Sequence, residues 1–511
     1  MPADPPKLNH GPRSRKLTAL AVLSVMGIAL GYQLTLRDGH DWGGDFAQYL
    51  QQARNLAEGA PFAQTSHVIV PGVPGVGPPS YPPVFSLMLA PTFVLRGGLD
   101  WPLVKLVVVI SFALFLLAVF ATLRERLGDD RALVVILLMG LSPFFWQQKD
   151  QVLSDIPFAF LVFLSLYLAQ GAYDETRTWR QRLVFTLATG LTVYLATGTR
   201  AIGVSLVLTL FVFEVIRTRR VPRQALLMTA LVVVLQQVQR LALGPTGGYL
   251  GFWRLEPLAV LHRVAAYPVE LKYLFWNGYV NGIAVALALI FTGLAIYGYV
   301  ASLRRGITLA EVFVVCYLAP LVLWPMRPNI RFMIPLIPLY LCYALQGLQL
   351  LGLRLSGRSH AGASLALVVL VAGSYASGYA RADHGRLREG VLAPESVALF
   401  EFVRSQAQPG DHFIFFKPRV LSFFTGVRSS VEYYPAEPAE LWDYYSRAAA
   451  THVIGRVGDE KFEAFVAGNG GSLVRIFQND DFVVCRILRP VDNSRNEISD
   501  HTKPGETGPQ A

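Results

Sequence analysis

The outer ends of the early apolar runs hold several aspartates: Asp38, Asp41, Asp45, Asp150 and Asp155. A carboxylate at the edge of an apolar phase is costly to keep there, so each is a candidate for chemistry. Asp45 opens an amphipathic helix candidate, 45–58, within Trp42-Gly43-Gly44-Asp45-Phe46-Ala47-Gln48-Tyr49. That position suits a general base and equally suits an ordinary N-cap. Asp155, in Leu153-Ser154-Asp155-Ile156-Pro157, has the same two readings, since Asp followed by Pro also opens ordinary helices. Cations form the matching set. They are Lys149, Arg200 in Thr197-Gly198-Thr199-Arg200-Ala201-Ile202-Gly203, and Arg327 and Arg331 around Pro328-Asn329-Ile330. Arginine meets phosphate in a fork geometry, so several cations opposite carboxylates suit an anionic lipid head group. A single snorkelling arginine would look no different taken alone.

Other chemistries lack their residues. Asp41 and Asp45 are spaced D-x₃-D rather than as a tight acidic pair, and the nine histidines, His67 and His262 among them, are scattered. Cys316, Cys342 and Cys485 have no ligand spacing and imply no disulfide framework. No phosphate-binding or dinucleotide Gly motif and no nucleophile elbow occurs. No cofactor or metal site is assigned, and a divalent cation is left open without a motif.

The elements that must hold these residues are membrane spans. Hydrophobic residues make up 53% of the 511 and charged residues 16%, with a mean hydropathy of +0.41, whereas a soluble chain carries roughly a quarter charged. About 20 apolar residues cross a bilayer core, and about eleven runs qualify: 17–36, 101–123, 132–147, 156–172, 183–198, 201–216, 225–243, 279–301, 308–325, 332–353 and 361–380. The net charge of +10 comes from short basic clusters between these runs, which set orientation and do not call for nucleic acid. Placing all six clusters in the cytoplasm requires the apolar stretch Pro82–Leu95 to lie on the outer surface instead of crossing. Asp45, Asp155 and the outlying arginines then share the outer side.

The expected organisation is a cytoplasmic N-terminus (1–16), with its first apolar run a retained anchor, and a transmembrane domain (17–380) with long outer loops at 37–100 and 244–277. A small extracytoplasmic α/β domain (381–491) and a disordered tail (492–511) follow. Helix 396–406 and strands near 412–417, 451–457 and 482–487 are expected in the α/β domain. Trp253, Tyr267, Tyr273 and Trp276 of the second loop suit an interface.

Over roughly residues 15–350 the arrangement resembles the polytopic GT-C glycosyltransferases, nearest to the protein O-mannosyltransferases, the lipid A aminoarabinose transferase and lipopolysaccharide-core sugar transferases. The resemblance rests on Gly44-Asp45-Phe46-Ala47-Gln48-Tyr49, Tyr81-Pro82-Pro83-Val84-Phe85, Ser154-Asp155-Ile156-Pro157, Thr199-Arg200-Ala201-Ile202-Gly203 and Arg331-Phe332-Met333-Ile334-Pro335. The chain departs from the mannosyltransferases in having Asp45-Phe46 where they have Asp-Glu. It departs from the aminoarabinose enzymes in having Tyr81 where they have Lys. The resemblance implies a multi-pass enzyme of the inner (plasma) membrane. It would transfer a sugar from a polyprenyl-phosphate donor to a hydroxyl of a glycan, lipid or protein acceptor, with inversion. Asp45 and Asp155 are the catalytic candidates, and Asp41, Tyr81, Lys149, Arg200, Arg327 and Arg331 the substrate-binding ones. A transporter or flippase of lipid-linked sugars and a non-catalytic scaffold are the rival readings.

Overall fold

Eight described helices are long and apolar enough to cross a membrane: Arg13–Leu34, Trp101–Leu127, Asp155–Tyr173, Ala201–Thr218, Arg223–Leu243, Gly282–Arg305, Ile330–Gly352 and Ala361–Arg381. The structure is a computed structural model that describes residues 12–71, 73, 78–244, 257–276, 282–325, 327–352, 357–385, 387, 389–433 and 438–488. The other three expected spans are also helical, but shorter or less apolar. The stretch 132–147 is broken into Asp129–Gly140 and Pro143–Gln148, with Pro143 restarting the second helix. The stretch 183–198 lies in Trp179–Thr199, and 308–325 is helical only over the 15 residues Leu309–Leu323. Helix Val84–Arg96 has 13 residues, which reach about 20 Å at 1.5 Å each, short of a hydrocarbon core of about 30 Å.

Polar caps set the helix ends. The Asp100 carboxylate accepts the Leu103 N–H, and Thr178 with Gln181 and Thr308 with Glu311 form reciprocal capping boxes. Helices Gly282–Arg305 and Ile337–Gly352 touch backbone to backbone, because Gly298 and Gly347 leave no room for a Cβ.

The chain divides into two compact units. The first comprises Met1–Asp41, Gln48–Gln64 and Pro78–Arg388, the second Trp42–Ala47, Thr65–Gly77 and Glu389–Ala511. The second unit thus takes in two pieces of the first loop, which hydropathy alone assigns to the membrane domain. Its sheet runs in the order β2-β1-β3-β5-β4, with β1 His412–Phe415, β2 Arg428–Val431, β3 His452–Arg456, β4 Leu473–Gln478 and β5 Phe482–Ile487. β1 is parallel to β2 and β3, and β5 runs antiparallel to β3 and β4. The helix Pro394–Gln406 and strands β1, β3 and β5 stand where the sequence predicts them, while β2 and β4 were not foreseen. β2 is short, with three of its four residues polar, and β4 carries an irregular register at Arg475–Phe477. The free edge of β2 is covered by the first loop: Val68 N–H bonds the Ser429 carbonyl and Ser429 N–H the Ser66 carbonyl, at 2.8 and 3.1 Å. The expected disordered tail, residues 1–11, and Trp253 lie outside the described residues.

Candidate functional site

Asp155 is the first residue of its helix and its side chain is 2% exposed, between two arginines. Arg200 Nη1 donates to Oδ1 at 2.8 Å, and Arg331 donates to Oδ2 through Nη2 at 2.8 Å and Nε at 3.3 Å. Both oxygens are engaged, so this carboxylate orients cations and is not poised to accept a proton. The arginine side chains keep 22% and 29% of their surface exposed. One buried negative charge therefore gathers two positive ones, each still partly exposed.

The local sequence dictates the pose of each arginine. Arg200 is an extended residue between helix Trp179–Thr199 and the 3₁₀ turn Ala201–Gly203. A Cβ on Gly203 would lie 2.8 Å from the Ala196 and Thr197 backbone, and one on Gly198 2.6 Å from Val84. Only glycine admits that reversal. Arg331 sits in the short helix Ile330–Met333, which Asn329 caps by accepting the Arg331 N–H at 2.9 Å. The neighbouring Phe332 ring lies 5.9 Å beneath the Arg200 guanidinium.

Helix Asp45–Glu58 meets this cluster from the other side. Tyr49 Oη lies 2.7 Å from Ser154 Oγ, which also accepts from Arg200 Nη1 at 3.3 Å. The helix is buried on its polar face as well, unlike an interfacial helix. Gln48 donates to the Pro79 carbonyl, Gln52 to that of Tyr81, and Asn55 to those of Pro61, Phe62 and Gln64. These bonds tie the first loop to the helix. Tyr81 is itself buried, its ring 4.8 Å from that of Tyr49.

Lys149 is buried too. Its ammonium lies 3.9 Å over the Trp146 ring and pairs with Asp150, which also binds Lys105 at 3.2 Å and Arg37 at 3.1 Å. Burial alone would raise the Asp150 carboxyl, but Lys105 and Lys149 outweigh it and hold it below the usual carboxylate range. This cluster fastens the end of the first helix to later elements, and Lys149 belongs to it rather than to an open anion site.

Asp41 bonds Gln151 Nε2 at 2.8 Å and lies 2.9 Å from His40 Nδ1. His40 Nε2 accepts the Val152 N–H at 3.1 Å, which leaves Nδ1 to donate. The Asp41 side chain is 48% exposed. Arg327 is exposed and, among the described residues, has no carboxylate within 4.0 Å. Tyr267 is buried and Tyr273 and Trp276 are half-buried.

Asp45 counts with the second unit. It is the first residue of its helix, 44% exposed, with Arg419 Nη1 at 3.8 Å from Oδ1. The preceding Trp42 ring is packed 5.2–6.1 Å from Phe400, Phe415, Phe416 and Phe482. Among the described residues no three His, Cys, Asp or Glu side chains could hold a metal ion.

Tyr49, Ser154, Lys105, His40 and Arg419 were not foreseen from the sequence. The Tyr49 position, four residues after Asp45, was the one legible signal, because residues i and i+4 share a helix face.

Residues 80–243 match the family model described as dolichyl-phosphate-mannose-protein mannosyltransferase. No curated protein matches the chain. Among solved structures the fold is similar to ArnT from Cupriavidus metallidurans in the apo state, with TM-score 0.60 and 13% identity over 93% of this chain and 98% of that one. The same protein bound to undecaprenyl phosphate gives 0.55 and 14%, over 92% and 98%. The Archaeoglobus fulgidus oligosaccharyltransferase in complex with Zn and sulfate gives 0.56 and 14%, over 89% and 70%.

Proposed function

We propose that this multi-pass membrane protein, whose fold is that of the GT-C glycosyltransferases, transfers a sugar from a polyprenyl-phosphate donor to an acceptor hydroxyl at the outer face of the inner membrane. The observation that carries the reading is the pair Arg200 and Arg331, both held by one buried carboxylate and each still partly exposed. Such a pre-oriented pair of forks suits a phosphate that must be gripped more tightly as it gains charge. Arg327, exposed four residues before Arg331, is a further cation for the same group.

Asp45 is the base in this reading. Its carboxylate takes the proton of the acceptor hydroxyl as that oxygen attacks the anomeric carbon from the face opposite the phosphate. The bond from that carbon to the phosphate oxygen breaks, its electron pair stays on the phosphate, and the configuration inverts. Polyprenyl phosphate leaves and Asp45 returns its proton to water. Phosphate is a good leaving group, so no general acid is required. Asp155 is a positioning residue and Asp41 a substrate contact held by Gln151. Tyr81, buried, serves the site through Tyr49, while Lys149 holds Asp150 in the charge cluster that fastens the first helix.

The test is transfer by the purified full-length protein from a polyprenyl-phosphate sugar, together with undecaprenyl phosphate binding. Arg331→Ala is expected to weaken that binding about tenfold or more. Unchanged binding would remove the phosphate assignment.

A further inference from the structure

The second unit carries a feature that the transfer reading leaves unused. From β1 the chain crosses to β2 on one side and later to β3 on the other, so the strand order reverses between β1 and β3. In α/β sheets the crevice beyond the carboxyl ends of the strands at such a reversal is where ligands bind. Here β1 ends at Phe415 and leads into Phe416, Lys417, Pro418 and Arg419, while β3 ends on Arg456.

The cations at this place are arranged, not scattered. The Lys417 ammonium lies 5.9 Å and the Arg456 guanidinium 5.4 Å from the same Phe416 ring. Phe416 is itself packed 5.2 Å from Trp42, three residues before Asp45. The Lys417 stem backs onto Gly44, where a Cβ would lie 4.0 Å from its Cδ. Arg419 faces Asp45. Among the described residues neither Lys417 nor Arg456 has a carboxylate within 4.0 Å. Lys417 directly precedes helix Pro418–Thr425, whose positive end adds to theirs. Like charges gathered around one ring repel each other unless an anion joins them.

We propose that the carboxyl ends of β1 and β3 form an anion subsite, in which Lys417 and Arg456 bind a phosphate or carboxylate group of the acceptor beside Asp45. The proposal rests on the reading of Asp45 as the base. A neutral acceptor has no use for two cations that have no carboxylate partner among the described residues, next to its proton acceptor. An acceptor bearing an anionic group is held by that group while its hydroxyl reaches the carboxylate.

The experiment uses the detergent-solubilised full chain, saturated with undecaprenyl phosphate, and titrates glycerol 3-phosphate as the soluble probe. Saturable, salt-sensitive binding is expected. The Lys417→Ala, Arg456→Ala double variant should weaken it about tenfold or more, with its thermal midpoint unchanged. Lys417→Arg with Arg456→Lys should retain it within about threefold, and Arg331→Ala should leave it intact. Probe binding that appears only when undecaprenyl phosphate is left out would assign the cations to the donor and overturn the proposal. Equal affinity of the double alanine variant, or no binding at tens of millimolar probe, would overturn it too. Failure of the transfer reading gives a different pattern: no undecaprenyl phosphate binding by the wild type and no transfer.

Discussion

Asp45 and Asp155 are alike in sequence, each an aspartate opening a helix, and the structure separates them. Asp155 has both oxygens bound by arginine and Asp45 is 44% exposed with one arginine at 3.8 Å. The two replacements are therefore expected to fail differently. Asp45→Asn should reduce transfer by roughly 10²–10⁴-fold with undecaprenyl phosphate affinity unchanged, the range for losing a positioned base. Asp155→Asn should instead loosen Arg200 and Arg331, raising the KM for the donor more than it lowers kcat. Breaking a buried pair costs about 3–5 kcal/mol, and the partly exposed arginines bring this nearer about 1–3 kcal/mol. A thermal-shift measurement on both variants separates the cases, because Asp45→Asn should leave stability nearly unchanged. Tyr49→Phe removes the bond to Ser154 and tests whether that bond aligns Arg200. It should lower kcat severalfold with little change in stability, and no change in kcat would dismiss the link.

At the scale of elements, the short motifs owe their form to backbone reversal. Thr199-Arg200-Ala201-Ile202-Gly203 works because Gly203 admits the Ala196 and Thr197 backbone at 2.8 Å. Gly203→Ala should cost about 1–3 kcal/mol by overpacking. It should also weaken undecaprenyl phosphate binding by displacing Arg200. A thermal midpoint lowered without any loss of binding would show that the turn does not set the arginine. The motif and its glycines were legible in the sequence; which carboxylate Arg200 would meet was not, since Asp155 is 45 residues away along the chain. The helix Asp45–Glu58 was legible in type and extent, but not in burial. Its Gln48, Gln52 and Asn55 look solvent-facing until the loop carbonyls that accept from them are in place.

At the scale of the whole molecule, the second unit buries two histidines in a sheet edge built partly from the first loop. Burial, with Arg419 and His412 adding to it, lowers His67 to about 3. Burial and Arg428 lower His412 to about 4, against a backbone hydrogen bond. Both are neutral in the folded state at pH 5–7 and take up protons on unfolding below about 6.5. Folded stability is therefore full above pH 6.5 and falls as pH drops from there towards 4 and 3, by roughly 1.4 kcal/mol per pH unit for each histidine. Hydrogen-exchange protection factors at β1 and β2 in the full chain should fall steeply between pH 6 and 4. A flat profile, or one abolished by neither His67→Gln nor His412→Gln, would contradict the assignment.

Hydropathy, charge and turn residues determined by themselves that this is a polytopic helical chain with an α/β unit at its end, and which short motifs carry carboxylates and cations. These are local properties, written in runs of about 20 residues or in patterns of four to eight. Tertiary structure alone decided that Asp155 holds two arginines, that Arg37 and Lys105 join Lys149 around Asp150, and that pieces of the first loop complete the second unit around Asp45, Arg419 and β2. Each of these depends on residues tens to hundreds of positions apart, whose meeting is set by packing and by the pairing of buried charge, and neither is recorded in any local stretch of sequence.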